Sequence, residues 1–214
     1  MQTRLTVLGA GPGGYVAAVR AAQLGASVTV VEKEQVGGTC LNWGCIPSKI
    51  MKTSAELLEK FHQAEAFGIR TDGSATLDMQ QLMARKQKVL ATQIKGIEGL
   101  LAHHNIHLVR GSAHIDGPGK VSATAGDGQV QAWEWDRLII ATGSQPFSVP
   151  AFPFDGQRIL SSNHILEIET VPESILIVGG WVIGCEFACI LSASVAKGAG
   201  VEAFERMLPL TSGG

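Results

Sequence analysis

An apolar run, 4-RLTVL-8, passes straight into 9-GAGPGG-14, and an alanine-rich helical pattern follows over 12–24. A second apolar run, 27-SVTVV-31, comes next. This succession restricts the possible folds more than any other feature of the chain. Strand, glycine turn, helix and returning strand within about 30 residues form a β-α-β unit. Gly9, Gly11 and Gly14 fit the spacing G-x-G-x-x-G, with Pro12 and Gly13 between them. A dinucleotide pyrophosphate can approach backbone only where side chains are absent, and a helix N-terminus offers it free N–H groups and the positive dipole end. Glu32 closes the second strand, where an acid can accept hydrogen bonds from a ribose hydroxyl. The alternative is a plain tight turn. The spacing suits FAD and NAD equally.

The remaining pattern extends the same architecture. Residues 50–66 and 78–103 read as helices, the second with Leu82, Val89, Ile94, Ile97 and Leu101 among its apolar positions. A strand is expected at 106–111 and another at 137–143. Between them, 113–135 breaks into short alternating segments around Gly117, Gly119, Gly126 and Gly128, the pattern of a small antiparallel meander laid over the main sheet. Pro146, Pro150 and Pro153 mark a linker at 144–158, and 174-SILIVGG-180 with a helix over 182–193 opens a second strand-glycine-helix. The expected fold is α/β: a Rossmann-like dinucleotide-binding domain over 1–147, with a parallel sheet and a meander. The linker and the start of a second, incomplete nucleotide-binding fold occupy 148–214.

A net charge of −2 argues against nucleic acid or an anionic membrane surface as the main partner. The basic cluster Arg85-Lys86-Lys88 reads as a solvated helix face. No apolar run reaches the ~18 residues of a membrane span, and the N-terminus enters a strand without a leader-like apolar core. The expected location is therefore cytoplasmic. There, a close pair of cysteines points to catalysis or metal binding rather than to a structural staple.

That pair lies in 37-GGTCLNWGCIPSK-49. Five residues of ideal helix rise ~7.5 Å, whereas a disulfide holds its Cα atoms roughly 4.4–6.8 Å apart. A Cys40–Cys45 bridge thus requires distorted helix or loop, and Gly44 supplies the freedom. Pro47 suits the first turn of a helix beginning near Cys45. Thiols near a helix N-terminus are commonly reactive. The competing readings are two unbridged thiols in a glycine-rich loop, or a metal site; zinc would need two further ligands, and the nearest histidine is His62. No metal site is expected there. The group 103-HHNIH-107 reads as exposed histidines, and Cys185 and Cys189 as small buried residues of a helix.

Gly9 to Gly14, Glu32, the segment Gly37 to Lys49, 141-ATG-143 and 175-ILIVGG-180 stand in the order of the flavin-dependent pyridine nucleotide–disulfide oxidoreductases. The wording Cys40 to Lys49 resembles the dihydrolipoamide dehydrogenase type most. The resemblance covers residues 1 to about 193. It implies that Gly9, Gly11, Pro12, Gly13 and Gly14 cradle the FAD pyrophosphate, with Glu32 on the adenosine ribose and Lys33, Gly38, Thr39, Thr142 and Gly143 beside the cofactor. It implies that Cys45 is the flavin-proximal thiol and Cys40 the outer thiol that exchanges with dihydrolipoamide or a lipoyl domain. It also implies that Lys49 lies near the flavin, paired with Glu186, and that members are homodimers.

The second cradle, 179-GGWVIG-184, keeps Gly179 and Gly184 but carries Trp181 in the middle slot. An indole there should obstruct NAD, and at a glycine-type φ it should be strained. The following run, 195-VAKGAGVE-202, reads as a poor strand, with Glu202 in the ribose-reading position. The resemblance implies a longer protein, with the rest of the nucleotide domain, a late strand completing the FAD site, and a dimerisation domain beyond this chain. Three functions compete on these residues: an impaired disulfide oxidoreductase subunit, a non-catalytic flavin- or adenine-nucleotide-binding fragment, and a thiol redox protein without flavin.

Overall fold

The computed structural model describes residues 2–193 and 197–201. In chain order its elements are β1 Arg4–Leu8, α1 Pro12–Gln23, β2 Ser27–Glu32, α2 Gly38–Asn42, α3 Cys45–His62, a 3-10 turn Ala64–Phe67, α4 Met79–His103, β3 His107–Arg110, β4 Ser112–Gly117, β5 Lys120–Thr124, β6 Val130–Glu134, β7 Arg137–Ile140, α5 Ser162–Ile165, β8 Ser174–Val178, α6 Val182–Ser192 and β9 Lys197–Val201. Two compact units are formed. One holds the described residues up to Ile46 together with Lys88–Phe147, and the other holds Pro47–Gln87 and the described residues from Ser148 onward.

The first unit is built on a parallel sheet of order β3-β2-β1-β7. Alternation along β1 assigns each side chain to a face. Leu5 and Val7 join Val28, Val30, Ala18, Leu101 and Ile106 in one core cluster. Leu8, with Val31 and Val109, packs on the other face against Val121 and Ala123 of the antiparallel sheet β4-β5-β6. Each such valine or leucine contributes roughly 1.5–3 kcal/mol by leaving water. Thr6 is a polar residue in this buried strand, and Trp133 Nε1 donates to its Oγ1 at 3.0 Å, which satisfies both. The meander thus lies over the sheet as its glycine spacing predicted.

Helix ends follow from local chemistry. Helix α1 closes with Gly25 at φ 90°, its N–H bonded to the Ala22 carbonyl and the Ala26 N–H to Ala21. Helix α4 starts where Asp78 accepts from the Gln81 N–H at 2.9 Å, and ends with Asn105 at φ 53°. There the Ile106 N–H reaches the Leu101 carbonyl, and both side chains are buried in the same cluster.

In the second unit, Met51 and Ala55 of α3, Met79 and Leu82 of α4, and Ile190 and Leu191 of α6 surround a small apolar pocket with Leu77 and Val171. Helix α3 begins at Cys45, as the place of Pro47 indicated, five residues before the apolar pattern starts at 50. Strand β9 pairs in parallel with β8 from Ser174↔Lys197 to Val178↔Val201. The glycine-rich run is therefore a strand despite its weak propensity, since ladder hydrogen bonds do not require side chains. Glu202 lies outside the described residues. Apolar side chains are exposed here: Val182 and Ile183 at the start of α6, and Leu176 and Val178 on β8, are all more than half exposed.

The expected solvated face at Arg85-Lys86-Lys88 needs correction. Arg85 and Lys88 are exposed, but Lys86 is fully buried. Its Nζ donates to the Leu166 carbonyl at 2.6 Å and pairs with Glu167 at 2.8 Å. Leu166 caps α5, so its carbonyl belongs to the set that a helix C-terminus leaves without an internal donor. Lys86 supplies one, and the half-exposed Glu167 lowers the cost of burying the ammonium.

Replacing Lys86 with Ala should lower the urea midpoint by the equivalent of about 2 kcal/mol or more, and Lys86→Met, which keeps the aliphatic volume, should recover part of the loss. Equal midpoints for wild type and Lys86→Ala would contradict the assignment. In the first unit, Arg4 binds Asp136 at 2.9 Å and Glu134 at 3.1 Å. The hydrogen bond from Arg4 holds Asp136 at about 2, below its ordinary 3.8. The folded value is depressed, so this contribution is complete above the ordinary carboxylate range and is lost as pH falls toward about 2. Asp136→Asn should flatten the acid limb of the stability curve in that window, a difference that shrinks in high salt.

Candidate active site

Three backbone segments meet at the C-terminal ends of β1, β2 and β7. The turn after β1 is possible only with glycine first: Gly9 has φ 100°, and a Cβ on it would lie 2.2 Å from the Ala141 carbonyl oxygen. A Cβ on Gly14 would lie 1.9 Å from the Gly9 oxygen, so the first turn of α1 rests directly on the turn. Gly11 is the N-cap of α1 with φ −74° and ψ −178°, ordinary extended backbone, and Pro12 follows at N1. A Cβ on Gly11 would meet Gly38 Cα only at an ordinary 3.6 Å; the tight position is Gly38, where a Cβ would stand 2.6 Å from the Gly11 Cα.

A buried carboxylate fixes this arrangement. Glu32 Oε2 accepts from the Ala10 N–H at 2.7 Å and Oε1 from the Glu34 N–H at 2.8 Å, while the Gly37 N–H donates to the Ala10 carbonyl at 2.8 Å. Glu32 therefore braces the turn as well as ending the strand. Each oxygen retains further acceptor capacity for a hydroxyl group. Lys33 is exposed and pairs with Glu34 at 3.5 Å. Strand β1 lies between β2 and β7, so this edge is the switch point where ligands of parallel α/β sheets bind. Thr142 and Gly143, the latter at φ 73°, are exposed on the loop leaving β7.

The cysteines lie on two helices separated by a break. Cys40 belongs to α2, which ends where the Trp43 N–H bonds the Thr39 carbonyl at 2.8 Å. Gly44 follows, and a Cβ there would stand 3.0 Å from the Thr39 oxygen and 3.4 Å from the Cys40 Cα. The missing side chain lets the chain fold back against Cys40 before α3 begins at Cys45. This is the helix distortion that the spacing required. Cys40 is half-buried and Cys45 exposed. Sequence reasoning passed over Asn42. Its buried amide donates to the Val36 carbonyl at 3.1 Å and the Gly38 carbonyl at 3.0 Å, tying α2 to the loop after β2. The signal was a polar residue enclosed by Leu41 and Trp43. Thr39 Oγ1 donates to the Ser144 carbonyl at 3.5 Å, connecting α2 with the loop after β7.

Lys49 and Glu186 belong to the second unit. Lys49 is exposed, and the buried Ser48 donates to Glu186 Oε1 at 3.4 Å. Lys49 and Ser48 are adjacent on a helix, so spacing alone could not tell which would face α6. Gly179 has φ 110°, and a Cβ on Gly184 would lie 2.0 Å from the Gly179 oxygen. Trp181 is the N-cap of α6 at φ −81° and ψ −179°, so the expected backbone strain is absent. Cys185 Sγ donates to the Gly180 carbonyl at 3.3 Å, and Cys189 is exposed rather than buried. Among the described residues, no group of three or more His, Cys, Asp or Glu side chains is arranged to hold a metal, and no helix is long and apolar enough to cross a membrane.

Residues 3–212 match the family described as "Pyridine nucleotide-disulphide oxidoreductase". The chain belongs to this family. It is 38% identical over 206 residues to a dihydrolipoyl dehydrogenase of Bacillus subtilis, covering 96% of this chain and 45% of that protein. It is 43% identical over 209 residues to a dihydrolipoyl dehydrogenase of Haloferax volcanii, covering 97% of this chain and 44% of that one. Its fold is similar to LpdA from Mycobacterium tuberculosis, with a TM-score of 0.85 at 28% identity over 97% of this chain and 46% of the other. The chain thus spans less than half the length of these relatives.

The oxidoreductase family is FAD-binding, and the first cradle of this member fits such a group. Backbone approaches backbone at Gly11 and Gly38 with no side chain between, at the N-terminus of α1, where the helix dipole favours negative charge. A methyl group at Gly38 would force the two loops apart. Gly38→Ala should weaken FAD binding about tenfold or more, as read by quenching of flavin fluorescence. Gly96→Ala, made where a Cβ meets nothing within 4 Å on α4, should leave that affinity unchanged. Equal affinities for the two variants would count against the cradle.

Proposed function

We propose that this chain carries the flavin- and disulfide-bearing part of an FAD-dependent disulfide oxidoreductase of the dihydrolipoyl dehydrogenase type. In the whole protein, electrons would pass between dihydrolipoamide, free or on a lipoyl domain, and NAD, with the NAD step impaired by Trp181. The observation that carries this reading is the glycine-lined cradle whose closing loop, Gly37–Gly38, leads directly into the helix bearing Cys40. The cysteine pair therefore starts beside the place where a dinucleotide would be held. Similarity to dihydrolipoyl dehydrogenases supports the lipoyl substrate class.

Gly9, Gly11, Pro12, Gly13 and Gly14 would hold the pyrophosphate, and Glu32 the ribose while still bracing the turn. Lys33, Gly38, Thr39, Thr142 and Gly143 would border the rest. When bound, FAD would supply a two-electron acceptor that releases its electrons as hydride, chemistry no side chain can perform. The side chains supply thiol exchange. In the oxidised pair, a substrate thiolate attacks Cys40 Sγ and the Cys40–Cys45 bond breaks. Cys45 leaves as a thiolate at the first residue of α3, where the helix dipole favours negative charge. The second substrate thiol then displaces Cys40, giving the cyclic disulfide and two reduced cysteines. Lys49 would sit near the flavin, and Ser48, rather than Lys49, would steady Glu186.

In the protein alone Cys45 is the more exposed thiol, so the inner and outer roles depend on the flavin covering Cys45. With FAD bound and the pair reduced, iodoacetamide should modify Cys40 faster than Cys45, as read by peptide mass spectrometry. Faster labelling of Cys45 under those conditions would reverse the roles. A cytoplasmic location and a homodimeric whole protein complete the proposal, while this chain alone is expected to turn over poorly. Yellow protein that develops a long-wavelength band on two-electron reduction supports the reading. Colourless protein with a titratable dithiol would favour a flavin-free thiol redox protein instead. Normal NADH-dependent lipoamide reduction by the 214-residue chain would overturn the expected impairment.

A further inference from the structure

We infer that Trp181 is the main obstruction to a dinucleotide at the second cradle, and that the backbone turn beneath it has the geometry of the first. The two glycine turns have the same geometry. Gly9 and Gly179 take φ 100° and 110°. A Cβ on Gly14 or on Gly184 would meet the carbonyl oxygen of the first glycine at 1.9 and 2.0 Å. The N-caps Gly11 and Trp181 lie at φ −74°, ψ −178° and φ −81°, ψ −179°. Each turn follows a strand and opens a helix, and each strand has a parallel partner after that helix.

The two turns also differ at Ala10/Gly180, Pro12/Val182 and Gly13/Ile183, but the largest change in bulk is at the middle slot, where Gly11 is replaced by Trp181. In the first cradle this slot faces the loop that closes over the ligand, since Gly11 and Gly38 oppose each other through bare backbone. In the second, the slot carries an indole, a group that covers about 150–250 Å² when buried. Trp181 is 43% exposed, so its ring lies partly against the protein. A pyrophosphate must reach the N–H groups of the first helical turn from this side, and a ring rooted at the N-cap stands across that approach. The middle residue needs no unusual φ, so a tryptophan can stand there without disturbing the fold.

The inference concerns the second cradle and does not depend on the thiol chemistry. It is tested by titrating the purified chain with NADH in a calorimeter, for wild type, Trp181→Gly and Trp181→Phe. Binding at the first cradle is common to all three chains, so differences between them report the second. Glycine is preferred over large apolar residues at an N-cap, so Trp181→Gly should keep α6, as circular dichroism and the urea midpoint would verify. The expected result is one additional NADH site in Trp181→Gly, tighter than any second site in the other two chains by about tenfold or more. The same isotherm for wild type and Trp181→Gly, whether both bind or neither does, overturns the inference. So does an additional site in Trp181→Phe equal to that in Trp181→Gly.

Discussion

Backbone packed against backbone is the constraint on which the first unit depends. The Gly9 turn touches the Ala141 carbonyl, the start of α1 rests on Gly9, and Gly38 faces Gly11. None of these contacts leaves room for a Cβ on Gly9, Gly14 or Gly38. Close approach of this kind brings many peptide dipoles together, and each buried one needs a partner. Glu32 supplies two acceptors where strand β2 ends, and the Ala10 carbonyl takes the Gly37 N–H. A carboxylate accepts several N–H groups at once without needing donors of its own, which a neutral amide could not match here. The residue expected to read a ribose thus has a folding role that precedes any ligand.

The same economy governs the cysteine segment. A continuous helix would hold Cys40 and Cys45 about 7.5 Å apart along its axis. The chain avoids this by ending α2 at Trp43 and restarting at Cys45, with Gly44 folded against the Cys40 backbone. Asn42 then prevents the short α2 from detaching, since a five-residue helix has little stability of its own. Spacing of the cysteine pair and loop anchoring are consequently coupled: the residues that fix α2 also fix the position of one of the two thiols.

Much of this was legible because it follows from period and from glycine. The β-α-β unit, the meander and the second strand-glycine-helix all arise from local patterns, and each is present in the fold. What was not legible depended on partners remote in sequence. Lys86 looked like one charge among three on a polar face; its acceptors lie 80 residues or more away, on a cap that no periodicity announces. The choice between Ser48 and Lys49 as partner of Glu186 turned on how α3 is rotated, which adjacent residues cannot reveal. Strand β9 was discounted on propensity, a weak guide when a neighbouring strand offers a complete ladder.

The misread strain at Trp181 shows why a glycine motif should be divided by cause. In both turns the first glycine answers to φ, and the third to the oxygen of the first; these two requirements belong to folding and hold with or without ligand. The middle position answers to neither, since Gly11 and Trp181 share one extended conformation. A glycine there serves only what comes to lie above it. Binding and folding therefore place their demands on different letters of one motif. A chain can lose the middle glycine and still form the turn, the helix and the parallel strand pair. The survival of Gly179 and Gly184 beside Trp181 is what that separation requires.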